Sequence, residues 1–342
     1  AVLTGMWIVY AAAQMPSGAA GDRYGPRRVV LAALGCTALA ALALAAAPSF
    51  PAFGAFALLL GVGAGLYYTP ATALLAARFD DVGRVIGVHR VGSQAAGFVA
   101  PALAALVGAR FGWRVALGSG ALVALAVLGV VAVNGSARST PRAARTDGGV
   151  TVRPRAVLGV LARPPVAFAV GLASIGEFAA LATLSFLPTF LVDHHGLSLA
   201  AAGALFSAYF VVVTALQPVS GWAADRSGRN AVTGGLFAVG TVGYATLALT
   251  HGPELAVPAV GFVGVAMAWG PPVQSRAVTA LADAERGVGF GAVRTSYILV
   301  GALGPVVVGT LADTVGWTAG FGVLAAVLGS GAVALCVAHG VS

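Results

Sequence analysis

The fold of this chain is decided by residues 18–28, which read Gly-Ala-Ala-Gly-Asp-Arg-Tyr-Gly-Pro-Arg-Arg. A second version, Gly-Trp-Ala-Ala-Asp-Arg-Ser-Gly-Arg, occupies residues 221–229, where the first glycine, the Asp-Arg pair and the following glycine recur 203 positions later. A further set of residues between 81 and 113 recurs between 285 and 317 with a shift of 204. One register held over so many positions indicates an internal duplication whose two halves run in the same direction.

The composition predicts that the chain lies in a membrane. Of its 342 residues 59% are hydrophobic and only 9% are charged, with a mean hydropathy of +0.93. A soluble fold could not bury so much apolar surface. The apolar residues form runs of about 20, the length that a helix needs to cross a hydrocarbon layer of about 30 Å. Because backbone groups in lipid must find their hydrogen bonds internally, we expect an all-α polytopic membrane protein.

Eleven apolar runs are candidate transmembrane helices, five before a polar segment and six after it. They cover residues 2–19, 28–47, 53–77, 83–108, 113–133, 164–191, 199–222, 230–250, 255–280, 287–311 and 317–338. The intervening polar segment is typical of a flexible linker. We therefore predict an N-terminal helix bundle at 1–133, a cytoplasmic linker at 134–160 and a C-terminal helix bundle at 161–342. Parallel repeats of this kind are typical of transporters whose substrate site lies between two bundles.

The distribution of arginine predicts the orientation in the membrane. The loops after the first, third, fifth, seventh and ninth runs carry most of the arginines, whereas the opposite loops carry only Arg110 and Arg114. By the positive-inside rule the arginine-rich side is cytoplasmic, so the chain starts outside and its C-terminus is cytoplasmic after eleven crossings. The net charge of +8 is then a topology signal, and we expect a multi-pass protein of the cell membrane with no nucleic-acid partner.

Several other classes of protein are disfavoured by what the sequence lacks. All 19 basic side chains are arginine, which excludes a P-loop lysine and a Schiff-base lysine. Cys36 and Cys336 are isolated and show no disulfide or metal spacing. Asp193, His194 and His195 are a weak candidate for a metal site, and a pH-sensitive outer loop is the alternative. We expect no enzyme activity, no cofactor and no metal.

Glu177 is the only acidic residue near the middle of an apolar run. An ionisable group near the bilayer centre costs at least about 2.5–3.5 kcal/mol, so its presence indicates a function. Burial favours the protonated carboxylic acid, which would suit reversible proton binding during transport. The alternative is a structural hydrogen bond to a neighbouring helix.

Arg90 and Arg294 are repeat-related and lie about two turns inside their runs. Symmetry would place them facing each other, where two guanidinium groups could clamp an anionic substrate. His89 and Gln94 would add polarity to the same wall. The alternative is that each arginine snorkels to the cytoplasmic surface or closes an inner gate.

Small residues and prolines indicate how the helices pack. The glycines of Gly61-Val62-Gly63-Ala64-Gly65 permit close helix approach. Prolines inside the runs can bend helices in the rocking motion of a transporter. These are Pro70, Pro101, Pro218, Pro271, Pro272 and Pro305.

Residues 18–28 resemble the Gly-x-x-x-Asp-Arg-x-Gly-x-Arg-Arg signature between helices 2 and 3 of the major facilitator superfamily, and residues 221–229 resemble the weaker copy between helices 8 and 9. The resemblance covers the whole chain except the first helix of the family, because the run at 164–191 has no counterpart in the first half. It implies that the runs are equivalent to helices 2–6 and 7–12. We expect either a natural arrangement of five and six helices or a first helix upstream of Ala1.

The resemblance also implies a cytoplasmic gate. Its residues are Gly18, Asp22, Arg23, Gly25 and Arg27, with the second copy Gly221, Asp225, Arg226 and Gly228. The Asp22 carboxylate is predicted to accept hydrogen bonds from the start of a neighbouring helix and so to latch two helices together. Arg23 and Arg27 are predicted to pair with acidic residues of adjoining loops, whereas Arg28 and Arg229 are expected only to fix topology. The candidate acidic partners are Asp80, Asp81, Asp283 and Glu285.

The function predicted from these features is secondary active transport of a small organic solute by alternating access, with proton-coupled efflux as the first choice. Gly97 to Pro101 occupies the place of a Gly-Pro motif of drug/proton antiporters, although Ala100 replaces its second glycine. Organic-anion uptake, based on the arginine pair, is the alternative within the same class. From another class, the alternative is a transport-inactive remnant or a membrane sensor. The expected partners are a small-molecule substrate, protons and the lipid bilayer, and we expect a monomer.

Overall fold

The computed structural model describes residues 2–78, 82–134, 154–281 and 286–340, and every regular element in these ranges is a helix. The first half contains α1 (Val2–Tyr24), α2 (Pro26–Ala45), α3 (Phe50–Arg78), α4 (Val82–Phe111) and α5 (Trp113–Asn134).

The described residues of the second half form nine α-helices. They are α6 (Pro154–Leu161), α7 (Pro164–Asp193), α8 (Leu199–Ser227), α9 (Arg229–Leu249), α10 (Pro253–Ala266), α11 (Gly270–Thr279), α12 (Arg286–Gly301), α13 (Leu303–Thr314) and α14 (Trp317–Gly340). Proline at the first helical position starts α7 and α10, and the Ser198 hydroxyl caps α8 by accepting a hydrogen bond from Ala201 N at 3.2 Å.

Every predicted apolar run coincides with helix, so the all-α membrane class is confirmed. Nine helical stretches among the described residues are long and apolar enough to cross a bilayer. Val2–Gln14 and Val99–Phe111 are shorter apolar stretches at the two remaining predicted crossings. The count of eleven crossings therefore stays a prediction.

The end of the segment predicted as a flexible linker is helical. Residues 135–153 lie outside the described part of the chain, but Pro154–Leu161 forms α6. Its sequence, Pro-Arg-Ala-Val-Leu-Gly-Val-Leu, begins with a proline at the first helical position and continues with apolar helix formers. The sequence did not predict this short helix because polar residues precede it in the same segment.

Two predicted runs are interrupted helices. The helix that starts as α10 passes through a 3-10 turn, Met267–Trp269, before α11 begins at Gly270 and continues with Pro271 and Pro272. Proline has no N–H and crowds the preceding turn, so two prolines in succession favour such a break. The other run breaks between α12 and α13 at Ala302, just before Gly304 and Pro305.

Other prolines are accommodated without a break. Pro70, Pro101 and Pro218 lie within the continuous helices α3, α4 and α8. A single proline in a membrane helix is tolerated where neighbouring groups satisfy the freed carbonyl. Breaks in the helix accompany only Pro271, Pro272 and Pro305, and the bends expected at the other three prolines stay predictions.

The internal duplication is present in the backbone. Gly25 and Gly228, which correspond in the repeat, both have φ of 88°, with ψ of 137° and 139°. Gly112 and Gly316, a second repeat-related pair, have φ of 84° and 114°. Glycine occupies this left-handed region without the steric cost that a side chain brings. Each pair thus ends one helix and starts the next with the same kind of turn.

The chain divides into two compact units. One comprises Val2–Ser93 and Leu106–Ala156, and the other comprises Gln94–Ala105 and Val157–Ser342. In the first unit α3 packs against α1 and α2, and α2 also packs against α5. Glycines permit this approach, since a Cβ added at Gly65 would lie 2.9 Å from Ala13 Cβ, as the sequence predicted.

The second unit has an aromatic core. Here α9 packs between α10 and α14, while α7 packs against α12. The rings of Phe190 and Phe321 stack with their centroids 3.7 Å apart, and both side chains are fully buried. This core holds α7, which carries Glu177, in the centre of the unit.

Candidate functional site

Glu177 lies on α7 at a close contact between this helix and α12. A Cβ added at Gly301 would be 2.6 Å from Glu177 Cγ, so the absence of a side chain at Gly301 makes room for the glutamate. The neighbours Gly176 and Ala179 on α7 are buried. The carboxyl group is therefore held between two helices within a predicted membrane span.

Arg294 is the charged partner of Glu177. It lies on α12 seven residues before Gly301, which is two helical turns, so that both residues occupy the same face of α12. The positive charge of Arg294 acts on the Glu177 carboxyl group. The sequence predicted a functional role for each residue separately but not that they interact, because no local pattern connects positions 177 and 294.

Three aromatic side chains, Trp269, Tyr297 and Tyr209, lie near this charged pair. The Trp269 ring packs directly against Gly176, and its centroid lies 6.2 Å from that of Tyr297 in an edge-to-face arrangement. Tyr209 on α8 lies within electrostatic range of Glu177. All three aromatic residues are about 95% buried. They were not predicted as site residues, and the one available signal was the position of Trp269 directly before Gly270-Pro271-Pro272.

A polar contact between Thr183 and Tyr244 joins α7 to α9, six residues after Glu177 along α7. Thr183 Oγ1 donates to Ala179 O at 2.7 Å and shares a hydrogen bond with the Tyr244 hydroxyl. Both side chains are fully buried. Interhelical hydrogen bonds of this kind are common in membrane proteins.

The predicted arginine clamp is only partly visible. The side chains of Arg90 and Gln94 lie outside the described part of the structure, so the pairing of Arg90 with Arg294 stays a prediction. His89 lies beside two tyrosines of α3, with ring centroids 5.8 Å from Tyr67 and 6.3 Å from Tyr68. The structure thus brings His89 to an aromatic pair that the sequence did not single out.

In the first copy of the gate motif, Arg27 contacts the end of a helix and Arg23 lies near an aromatic ring. Arg27 Nη2 donates to Ala132 O at 2.8 Å, near the C-terminal end of α5, where backbone carbonyls carry partial negative charge. The Arg23 guanidinium lies 5.3 Å from the centre of the Tyr24 ring. The Asp22 side chain lies outside the described residues, as do the candidate acidic partners Asp80, Asp81, Asp283 and Glu285. The latch at Asp22 stays a prediction.

The second copy of the motif lines a cavity. The cavity has a volume of about 460 Å³ and is bounded by Asp225, by the first turn of α9 and by Arg276 of α11. Arg229 Nη1 donates to Thr279 Oγ1 at 2.9 Å and so ties α9 to α11, a contact beyond the purely topological role expected for Arg229. Arg226 lies outside the cavity lining, over the Trp222 ring at 4.2 Å.

Three histidines, His194, His195 and His251, lie together at the C-terminal end of α7. His195 is 3% exposed, with Nδ1 2.9 Å from Gly252 O and Nε2 3.1 Å from Leu247 O. Each ring nitrogen of His195 therefore lies within hydrogen-bonding distance of a backbone carbonyl oxygen. The centroids of His194 and His251 lie 4.3 Å apart. Within the described ranges no three His, Cys, Asp or Glu side chains are placed to hold a metal ion.

The comparison with protein families decides the assignment. The model of the Major Facilitator Superfamily matches residues 1–267 and 182–339, which together span nearly the whole chain. The chain belongs to the Major Facilitator Superfamily. The resemblance found in the sequence is thereby confirmed. No curated protein matches the chain closely.

Solved structures of this superfamily share the fold. A D-xylose–proton symporter superposes with a TM-score of 0.78 at 16% identity, over 98% of this chain and 85% of that one. A nucleoside transporter superposes with a TM-score of 0.82 at 16% identity, over 98% and 90%. A peptide transporter superposes with a TM-score of 0.77 at 15% identity, over 98% and 85%. This Major Facilitator Superfamily protein is therefore a multi-pass membrane protein with a transporter fold, and its family and neighbours are transporters rather than enzymes.

Proposed function

We propose that the protein is a secondary active transporter that exports a small organic solute by alternating access, with Glu177 as the proton-binding group. It acts as a monomer in the cell membrane with its C-terminus in the cytoplasm. The observation that supports this proposal is the Glu177–Arg294 pair within the C-terminal unit. Two ionisable groups inside membrane spans are costly and are retained where they act in transport.

The chemistry of the pair suits proton coupling. With Glu177 ionised, its charge compensates that of Arg294. Protonation neutralises the carboxyl group and removes this compensation, which weakens the electrostatic attraction between α7 and α12 and favours a changed arrangement of α12. A single protonation event thereby changes the electrostatics of two packed helices. Trp269 and Tyr297 place apolar, aromatic rings beside the pair and keep its surroundings apolar.

Flux into proteoliposomes under an imposed pH gradient tests the proposal. One pH unit supplies about 1.4 kcal/mol per proton, enough for about a tenfold concentration ratio of a solute exchanged for one proton. Wild-type protein is expected to build up such a ratio for lipophilic cations or neutral amphipaths. Glu177→Gln is expected to retain exchange of labelled for unlabelled solute but to lose the response to the gradient.

The control for this experiment is Glu254→Gln, which removes an exposed carboxylate from the first turn of α10. This variant should respond to the gradient like the wild type. Full gradient dependence in Glu177→Gln would remove the proton role of Glu177. Absence of flux for every solute tested in well-folded protein would favour the sensor or remnant alternative.

Organic-anion uptake is the second candidate, and it is favoured by the guanidinium group of Arg294. In this case anions rather than cations would move, and they would accumulate with the proton gradient. Arg294→Gln would then abolish anion binding, whereas an exporter of cations would bind its substrate without Arg294. Measuring the flux of both substrate classes in the same vesicles distinguishes export of cations or neutral amphipaths from uptake of anions.

A further inference from the structure

The cavity at the second gate motif combines two positive side chains. Arg229 from α9 and Arg276 from α11 both line it, together with the single carboxylate of Asp225. The Arg229 guanidinium is held by Thr279 on one side, and the Arg276 guanidinium lies 5.1 Å from the centre of the Phe168 ring. These contacts position both groups but leave the cavity lining with a net positive charge.

The start of α9, with its backbone N–H groups, lies at the same cavity. Its lining includes Gly228, Arg229, Asn230 and Ala231, which form the turn before α9 and its first turn. The first hydrogen bond within the helix runs from Val232 N to Gly228 O, and no side chain caps the helix. The N–H groups of the first turn therefore have no acceptor inside the helix, and the helix dipole adds partial positive charge at this point.

We propose that this cavity binds a phosphate group, either inorganic phosphate or the headgroup phosphate of an anionic lipid such as phosphatidylglycerol. Arginine presents planar paired donors to phosphate oxygens, and the start of α9 presents backbone donors to the same anion. The bound anion joins α9 to α11 at the membrane surface, independently of the transported solute.

Equilibrium dialysis of labelled inorganic phosphate tests the proposal, using the full chain in phosphatidylcholine nanodiscs at constant ionic strength. Wild-type protein should bind phosphate saturably. Arg229→Gln and Arg276→Gln should each weaken binding by about tenfold or more, because each removes a charge-assisted contact. Asp225→Asn should tighten binding because it removes the negative charge, and loss of folding cannot produce that gain.

Arg226→Gln is the matched control, since Arg226 belongs to the same motif but does not line the cavity. It should leave phosphate binding unchanged. A second set of nanodiscs containing phosphatidylglycerol identifies the source of the phosphate. If the lipid fills the site, it suppresses phosphate binding and co-purifies with wild-type protein more than with Arg276→Gln; if soluble phosphate fills it, the lipid has no effect.

Two results would overturn the proposal. One is the absence of saturable phosphate binding together with equal retention of phosphatidylglycerol by wild-type and Arg276→Gln protein. The other is an equal loss of binding in Arg226→Gln and Arg276→Gln, which would show that the attraction comes from the overall positive charge of the surface.

Discussion

The close contact between α7 and α12 predicts a strong effect of a single methyl group at Gly301. In Gly301→Ala the new Cβ would lie 2.6 Å from Glu177 Cγ, 2.9 Å from its Cβ and 3.1 Å from its carbonyl carbon. Ordinary carbon–carbon contacts are about 3.5–4.0 Å, so the shortest contact must open by about 1 Å. Rotation of the Glu177 side chain moves Cγ but not the other two atoms. The helices themselves must therefore separate, at a cost of about 1–3 kcal/mol.

Gly291→Ala provides the matched control on the same helix. Gly291 is exposed, and a Cβ there would meet no atom within 4 Å. Both variants gain the helix propensity of alanine, about 0.5–1 kcal/mol, so the difference in their unfolding free energies isolates the packing cost. Denaturant titration in mixed micelles measures this difference, and proteoliposome flux measures the displacement of Glu177. Equal stability and equal flux in the two variants would refute the close packing of α7 on α12.

Two further predictions concern the ends of helices. Gly25→Ala is expected to destabilise the protein by about 1–2 kcal/mol, because φ is 88° at this turn and an L-residue is strained there. Gly120→Ala, whose Cβ would meet nothing within 4 Å, is the control, and equal denaturation midpoints would count against the strained turn. At the C-terminal end of α7, burial and then the charges of His251 and His195 lower the pKa of His194 below its usual value. The unfolded chain then takes up a proton more readily than the folded one, so this stability is present above the unfolded pKa of about 6.5 and is lost as the pH falls from there through the lower pKa of the folded state. His194→Gln should flatten the pH dependence of the melting temperature between about pH 7.5 and about pH 5.5, and an unchanged slope would exclude His194 as its source.

Much of the fold could be predicted because membrane helices follow local rules. Apolar runs of sufficient length had to be helical, and repeat-related glycines such as Gly25 and Gly228 marked corresponding turns. The break at Met267–Trp269 could not be predicted in the same way. A proline inside a run is compatible with a continuous helix at Pro218 and with an interruption at Pro271, and the packing of neighbouring helices decides between them.

The site was predictable residue by residue but not as an arrangement. Glu177 and Arg294 could be recognised because charge in an apolar run is costly. Their interaction could not, since repeat symmetry pointed from Arg294 to Arg90 instead. Tyr297 carried no signal of its own, and the only signal at Trp269 was its position before Gly270-Pro271-Pro272. Aromatic residues are ordinary in an apolar chain, and only the folded structure shows that these two rings pack together.

The two interrupted helices meet the same short stretch of α7. The 3-10 turn places Trp269 against Gly176, and the break after α12 leaves Gly301 against Glu177. Hinge motion at either joint therefore alters the immediate surroundings of one carboxylate. The protonation proposed for Glu177 would therefore be coupled to changes at both helix breaks, because each break supplies one of its neighbours.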